Sequence, residues 1–233
     1  MVVSEEPEPA PGGGRRRPLV RTVLWPTGAQ WRVRGPRLAL GLGIIALGVA
    51  LMVQAGLGIA PYEVLNQGMA VRTPLTIGQA SIVIGLGVLL LWFPLRQRPG
   101  FGTLANILGV GLMLDAWLLV LPVPTSLAVR LVSSLTGVVL VGVGIGLYIG
   151  AGLGPGPRDG LMTGLAEFGA PVWAVRLALE TSALLLGWYL GGTVGLGTLA
   201  FALGVPFLAD RSLRRFAVRE DLPARRFPPS TRS

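Results

Sequence analysis

Long apolar runs, rather than short periodic stretches, dominate the hydrophobic pattern of this chain. A helix needs about 20 mostly apolar residues to cross the hydrocarbon layer of a membrane. Six runs approach or reach that length, and they cover residues 38–56, 76–95, 102–121, 131–152, 172–190 and 195–209. The pattern therefore predicts an all-α membrane protein with six transmembrane helices.

Polar, Arg-rich segments flank these runs. We predict a disordered tail over residues 1–37, a transmembrane domain over residues 38–210 and a second Arg-rich tail over residues 211–233. Only 13% of the residues are charged, whereas soluble domains carry about 25%. Aromatic residues lie near several predicted helix ends, where their rings favour the headgroup level; they are Trp92, Trp117, Trp188 and Tyr189.

The net charge is +9, all twenty basic residues are arginine, and fourteen of them lie in the two tails. Cytoplasmic segments beside membrane helices are enriched in basic residues. We therefore expect a membrane protein with both termini in the cytoplasm. The tails are expected to contact anionic lipid headgroups, and no nucleic-acid partner is expected because the sequence has no nucleic-acid-binding motif.

The sequence contains no Cys and no His. This excludes disulfides, thiol chemistry and His-based proton transfer, and it removes the usual zinc and haem ligands. No nucleophile and base occur at a catalytic spacing. We therefore expect no enzyme activity, no catalytic residues, no metal site and no cofactor.

Two sequence blocks occur twice. Residues 55–68 and 151–164 are identical at seven of fourteen positions, and Glu63 aligns with Asp159. Residues 100–105 resemble residues 195–200 at nearly the same offset. The repeats span about residues 38–121 and 131–210, with three predicted helices each. Because three crossings are an odd number, the second copy is inverted relative to the first, which is a common plan of secondary transporters.

Gly/Pro breaks follow the first helix of each repeat, at Gly58 and Pro61 and again at Gly154, Pro155 and Pro157. Proline cannot continue a helix, but it can begin one. Each break therefore predicts a short half-helix, over residues 61–70 and 157–168. These helices either enter the bundle with their N-termini aimed at a central site or lie flat at the membrane surface; the sequence alone slightly favours the second arrangement.

Ionisable residues inside apolar segments are costly and often functional. The candidates for substrate or proton handling are Glu63, Arg158, Asp159, Arg176 and Glu180. The carboxylates would exchange protons, and an arginine would hold an anion. The alternatives are that Glu63 and Asp159 only favour their helix dipoles and that Arg176 and Glu180, four residues apart, form a structural ion pair. We expect Glu180 to be buried in the bundle, and we expect Asp115 and Asp210 at the membrane boundaries.

Three stretches resemble a known family. They are residues 75–81 (LTIGQAS), 94–100 (PLRQRPG) and 152–162 (GLGPGPRDGLM). These stretches are similar to the YczE/YyaS-like bacterial membrane proteins, which are related to the YitT-type group. The resemblance covers about residues 38–210 and implies a multi-pass inner-membrane protein, with no known catalytic or binding residues.

Two functions fit this sequence. One is a small secondary transporter or permease of unknown substrate, and the other is a non-transporting accessory or regulatory scaffold protein. A polar cavity that gathers the acidic residues would favour transport, whereas a closed apolar core would favour the scaffold. Glycines at four-residue spacing, such as Gly142 and Gly146, favour close helix packing within the bundle; a homodimer surface is the alternative.

Overall fold

Helices form all the regular structure of the described residues, which are 23–167, 169 and 171–216 of a computed structural model. The predicted tail segments 1–22 and 217–233 lie outside these residues, as does residue 168 of the predicted second half-helix. In chain order the helices are α1 (Gly28–Ala55), α2 (Pro61–Arg72), α3 (Ile77–Leu91), α4 (Phe101–Val120), α5 (Leu127–Gly150), α6 (Pro157–Ala166), α7 (Val172–Tyr189) and α8 (Leu196–Phe216).

Four of these helices, α1, α4, α5 and α8, are long and apolar enough to cross a membrane. The pair α2 and α3 becomes a fifth candidate if it is counted as one broken segment, but the two helices are bent by 115° relative to each other. Helix α7 falls outside this group, and it carries the charged residues Arg176 and Glu180. Four to five spans are therefore supported, and the sixth stays a prediction.

The predicted boundary between tail and membrane domain differs from the observed one. Helix α1 begins at Gly28, within the segment predicted to be disordered, and α8 continues past residue 210 to Phe216. Tertiary contacts order the start of α1: Arg34 is only 1% exposed, and the Trp31 ring packs edge-on against Phe101 at 4.6 Å. The polar composition of this segment predicted disorder, but the segment is helical because the carbonyl oxygens just after α5 accept hydrogen bonds from Arg34.

Helices α1 and α5 form a close seam at the centre of the bundle. A Cβ atom added at Gly48 would lie 2.7 Å from the carbonyl oxygen of Gly137, and one added at Gly41 would lie 3.0 Å from that of Gly144. Real Cβ atoms do not approach backbone this closely, so these glycines allow the two backbones to touch. Small residues have this role in membrane helix pairs because apolar side chains gain little by leaving lipid.

Each helix of the seam also receives an arginine from the other. Arg34 of α1 donates hydrogen bonds to the carbonyl oxygens of Ala151 and Gly152, just after α5, at 2.8 and 3.2 Å. Arg130 of α5 donates to the carbonyl oxygens of Ala55 and Gly56, at the end of α1, at 2.6 and 3.0 Å. The last carbonyls of a helix lack partners within it and carry partial negative charge, so each arginine caps the helix of its neighbour.

The two repeated blocks meet across the bundle. The backbone N–H of Gly197 in the second block donates to the carbonyl oxygen of Leu57, in the break after α1, at 2.8 Å. The N–H of Gly102 donates in the same way to Leu153, in the break after α5, at 2.7 Å. Each break is thus held by the N-terminus of a helix from the other half of the chain, which satisfies backbone groups that would be costly to expose to lipid.

Three other glycines also serve packing within the bundle. Gly142 faces Leu208 of α8, Gly146 faces Ser212, and Gly187 of α7 lies against Leu65 of α2. The predicted use of these small residues in helix packing is therefore confirmed. The homodimer surface stays a prediction.

The seam predicts unequal effects of one substitution at two glycines. Gly48→Ala places a methyl group against the backbone of α5, so we expect it to destabilise the bundle by about 1–3 kcal/mol, as overpacking commonly does. Gly87→Ala meets nothing within 4 Å and replaces a helical glycine, so it should be neutral or stabilising by about 0.5–1 kcal/mol. Thermal unfolding of both variants in detergent tests this; equal melting temperatures would contradict the close seam.

Candidate functional site

The two short helices begin at the predicted prolines, since α2 starts at Pro61 and α6 at Pro157. The breaks before them contain backbone in the left-handed region, with φ of 100° at Gly58 and 122° at Gly154. Residues with side chains rarely adopt such angles, which explains why glycine occurs at both positions. The predicted half-helix breaks are therefore present.

A cavity of about 320 Å³ lies among all eight described helices. All five predicted site residues line it: Glu63, Arg158, Asp159, Arg176 and Glu180. Apolar side chains of the long helices form much of the remaining wall, for example Val49, Val110 and Phe201. The structure thus brings together residues from α2, α6 and α7 that are far apart in the sequence.

The first turns of both short helices face this cavity. Pro61, Tyr62 and Glu63 of α2 line it, and so do Pro157, Arg158 and Asp159 of α6. A helix N-terminus carries partial positive charge and N–H groups without helical partners. Of the two arrangements left open by the sequence, this geometry matches half-helices that point into the bundle rather than helices lying flat on its surface.

A buried polar pair lies on α2. Asn66 is 2% exposed, and its Nδ2 donates a hydrogen bond to Glu63 Oε2 at 2.8 Å. Its Oδ1 is buried and has no hydrogen-bond partner among the described residues. A buried polar atom without a partner is costly. Sequence analysis missed Asn66, although its position three residues after Glu63 places both on one helix face.

Arg158 and Asp159 are half-buried. Neither forms a hydrogen bond or an ion pair within the described part of the chain, although Arg158 is near enough to interact electrostatically with Glu63 and Tyr62. The Asp159 carboxylate lies beside the start of its own helix, since a Cβ atom at Gly156 would be 2.9 Å from Oδ2. The dipole of α6 therefore favours the charge of Asp159.

Trp92 fixes the position of α6. Its Nε1 donates a hydrogen bond to the carbonyl oxygen of Pro157 at 2.8 Å, its ring lies against Gly160, and the residue is 1% exposed. The expectation that Trp92 lies in an interfacial aromatic belt is therefore wrong. Tyr148 adds a second support, because its hydroxyl donates to the carbonyl oxygen of Gly154 at 3.2 Å.

Arg176 and Glu180 form the predicted ion pair, with 2.9 Å between Nε and Oε1. Their side chains are 49% and 32% exposed, so they lie at the edge of the cavity rather than deep in the bundle. Glu180 was expected to be buried in the bundle, but its side chain is only partly buried. The reason is that α7 lies outside the α1–α5 seam, where one of its faces stays open.

The other two acidic candidates lie outside the cavity. Asp115 accepts hydrogen bonds from the Thr76 hydroxyl and from the Gly78 backbone N–H, the second at 2.8 Å. It therefore stabilises the start of α3. Asp210 is exposed and pairs with Arg214 at 2.8 Å. Within the described part of the chain, no three acidic side chains are grouped closely enough to hold a metal ion.

Apolar helices packed around a charged inner cavity define a helical, multi-pass membrane protein. The chain belongs to the family described as a family of unknown function, DUF6198, which matches residues 34–211. It is similar to an uncharacterised protein of Haemophilus influenzae, with 41% identity over 191 residues, 80% of this chain and 88% of the relative.

Two proteins of Bacillus subtilis are also similar, which confirms the resemblance stated above. The uncharacterised membrane protein YczE is 37% identical over 168 residues, 70% of this chain and 77% of its own length. The uncharacterised protein YyaS is 28% identical over 165 residues, 69% of this chain and 82% of its own length. No solved structure is significantly similar to the chain.

A pair of serines tests whether water reaches the cavity. Ser81 lines it, whereas Ser134 is 3% exposed and packs against Gly197 outside it. Because the chain has no native cysteine, each serine can be replaced singly by the nearly isosteric Cys. We expect Ser81→Cys to react with a small water-soluble methanethiosulfonate while Ser134→Cys reacts only after denaturation. Equal protection of both would contradict a hydrated cavity.

Proposed function

We propose that this protein is a small secondary transporter or permease of a bacterial plasma membrane. The observation that carries the proposal is the cavity, where charged residues of both short helices meet. A closed apolar core would have favoured the accessory or scaffold function. The site also favours transport over catalysis, because the chain has no Cys or His and, among the described residues, no charged side chain of the cavity is hydrogen-bonded to a hydroxyl nucleophile.

The proposal includes six membrane spans arranged as two inverted three-helix repeats. Three reciprocal features support it: paired glycines along the α1–α5 seam, arginines that cap each other's helices, and blocks that hold each other's breaks. In each case a residue of the first half contacts the second half, and its counterpart about 95 positions later makes the same contact with the first half. Such reciprocity is the contact pattern expected of a two-fold axis between related halves.

Alternating access follows from this arrangement. The cavity lies between the halves, and the halves meet at the glycine seam. In secondary transporters, broken helices at the midplane point their N-termini at the substrate while one repeat rocks against the other. Here Arg158 would hold an anionic group, and Glu63, Asp159 or Glu180 would exchange protons.

The orientation rests on arginine placement. With both termini in the cytoplasm, Arg96, Arg98 and Arg158 also belong to cytoplasmic loops, Arg176 lies near the cytoplasmic end of its helix, and only Arg72 and Arg130 fall on the outer side. This matches the enrichment of basic residues in cytoplasmic loops. The Arg-rich tails would then contact anionic lipid headgroups.

Single cysteines in two exposed loops test this topology. Thr125 lies in the loop between α4 and α5, and Arg98 lies between α3 and α4. In intact cells we expect a membrane-impermeant maleimide to label Thr125→Cys, and to label Arg98→Cys only after lysis. Labelling of both loops from the same side would show that α4 does not cross the membrane and would refute the repeat.

Flux into proteoliposomes tests transport directly. Uptake of a panel of radiolabelled organic acids, amines and amino acids should exceed that of empty vesicles for at least one compound. Losing one charge-assisted contact weakens binding by roughly tenfold or more. Asp159→Asn and Glu180→Gln should therefore lower subsaturating flux by a similar factor.

Asp210→Asn is the matched control for these variants, because it removes an exposed acidic group outside the cavity. Its flux should equal that of the wild type. Flux that never exceeds that of empty vesicles for any compound on the panel would end the transporter proposal for these compounds. Equal loss in Asp210→Asn would show that the cavity charges have no special role.

A further inference from the structure

We propose that the cavity binds a small zwitterion with an apolar body, such as an apolar amino acid, with its ammonium group at Glu63 and Asn66 and its carboxylate at Arg158. This inference rests on the proposed function, because it names the class of substrate for the same site. It is carried by the hydrogen-bonding capacity that the cavity leaves unused, by the presence of two opposite charges in one cavity and by the chemistry of the remaining wall.

The ammonium-binding pole consists of oxygen atoms that can accept further hydrogen bonds. Asn66 lines the cavity, and its buried Oδ1 has no partner among the described residues. Next to it, Glu63 accepts one hydrogen bond, from Asn66 Nδ2 at 2.8 Å, and a carboxylate can accept several. An ammonium group has three N–H donors and no acceptor. It would satisfy the amide oxygen and the carboxylate together, which neither an anion nor an apolar ligand can do.

The carboxylate-binding pole is Arg158, whose N–H donors have no acceptor within the described chain. Arg158 lies in the first turn of α6 and forms no hydrogen bond or ion pair with the rest of the described chain. Its planar guanidinium matches a carboxylate with two parallel hydrogen bonds. The other cavity arginine, Arg176, is already bound to Glu180 at 2.9 Å. Arg158 is therefore the cation that remains for a ligand.

The two poles line the same cavity. Arg158 and Glu63 lie close enough for electrostatic interaction, yet no ion pair joins them in the part of the chain that the structure describes. They approach from α6 and α2, one short helix in each half of the chain. A ligand carrying both charges would bridge the gap between them, whereas a ligand with one charge would leave the opposite pole unpaired.

The rest of the wall selects an apolar body. Ile45, Val49, Val110 and Phe201 line the cavity beside the charged residues. The volume of about 320 Å³ lies at the lower end of the range for small-molecule pockets, about 300–1,000 Å³. Apolar amino acids combine this size with the required pair of charges.

Three probes with one apolar body separate the contributions of the two charges. L-phenylalanine carries both an ammonium and a carboxylate group, 2-phenylethylamine carries only the ammonium, and 3-phenylpropionate carries only the carboxylate. Binding of each to the detergent-purified, full-length protein is measured by isothermal titration calorimetry, with L-leucine as a second zwitterion. We expect both zwitterions to bind and each singly charged probe to bind about tenfold or more weakly than L-phenylalanine, because it lacks one charge-assisted contact.

Variants assign each pole to its residues. Arg158→Gln should weaken L-phenylalanine binding about tenfold without changing the affinity for 2-phenylethylamine. Glu63→Gln should weaken L-phenylalanine and leave 3-phenylpropionate unchanged. The matched controls are Arg98→Gln and Asp210→Asn, which remove one charge of each sign from exposed positions outside the cavity. A variant that retains affinity for one probe is folded, so selective loss cannot be a folding defect.

Three outcomes would overturn the zwitterion assignment: no binding of either amino acid at millimolar concentration, binding of a singly charged probe as tight as that of L-phenylalanine, or equal losses in the control variants. The assignment and transport can fail separately. Binding with the expected charge pattern but without flux would leave the assignment intact and remove transport. Flux of another compound without zwitterion binding would support transport and overturn the zwitterion assignment.

Discussion

The bundle depends on the direct backbone contact between α1 and α5. At Gly48 and Gly137 no side chain separates the helices, and Arg34 and Arg130 tie each helix end to the start of the other. In lipid, apolar side chains gain little from leaving their surroundings, so close backbone packing and satisfied polar groups must hold helices together. The other long helices pack around this seam, and it sets where the two breaks, and hence the two short helices, lie.

The seam also explains how charged residues come to lie inside an apolar bundle. Each break is fixed by backbone hydrogen bonds from the other half, through Gly102 and Gly197, so irregular backbone survives without exposure to lipid. The short helix after each break then points its first turn inward. Glu63 and Asp159 lie at the positive ends of their helices, where the dipoles favour their charges. The same geometry brings Arg158 and Asn66 to one cavity and leaves part of their hydrogen-bonding capacity free.

Sequence reasoning succeeded where a single physical constraint dominated. Apolar length indicated the long helices, proline indicated the starts of α2 and α6, and four-residue spacing indicated the pair Arg176–Glu180. It failed where a distant partner decided the outcome. Residues 28–37 are polar, yet they form the first turns of α1, because carbonyl oxygens beyond α5 accept from Arg34. Trp92 lies near a predicted helix end, which is typical of an interfacial residue, but it is buried because its indole N–H donates to the carbonyl oxygen of Pro157.

By itself, the sequence determined the environment of this protein, its helical class and the residues that merit attention as a site. Hydropathy and backbone chemistry are local properties, so they can be read position by position. Only the tertiary structure decided that five ionisable residues from three helices share one cavity, that Asn66 joins them and that Asp115 instead stabilises the start of a helix. Those outcomes depend on which surfaces meet across roughly a hundred residues of chain, and the local pattern around each residue does not name its distant partner.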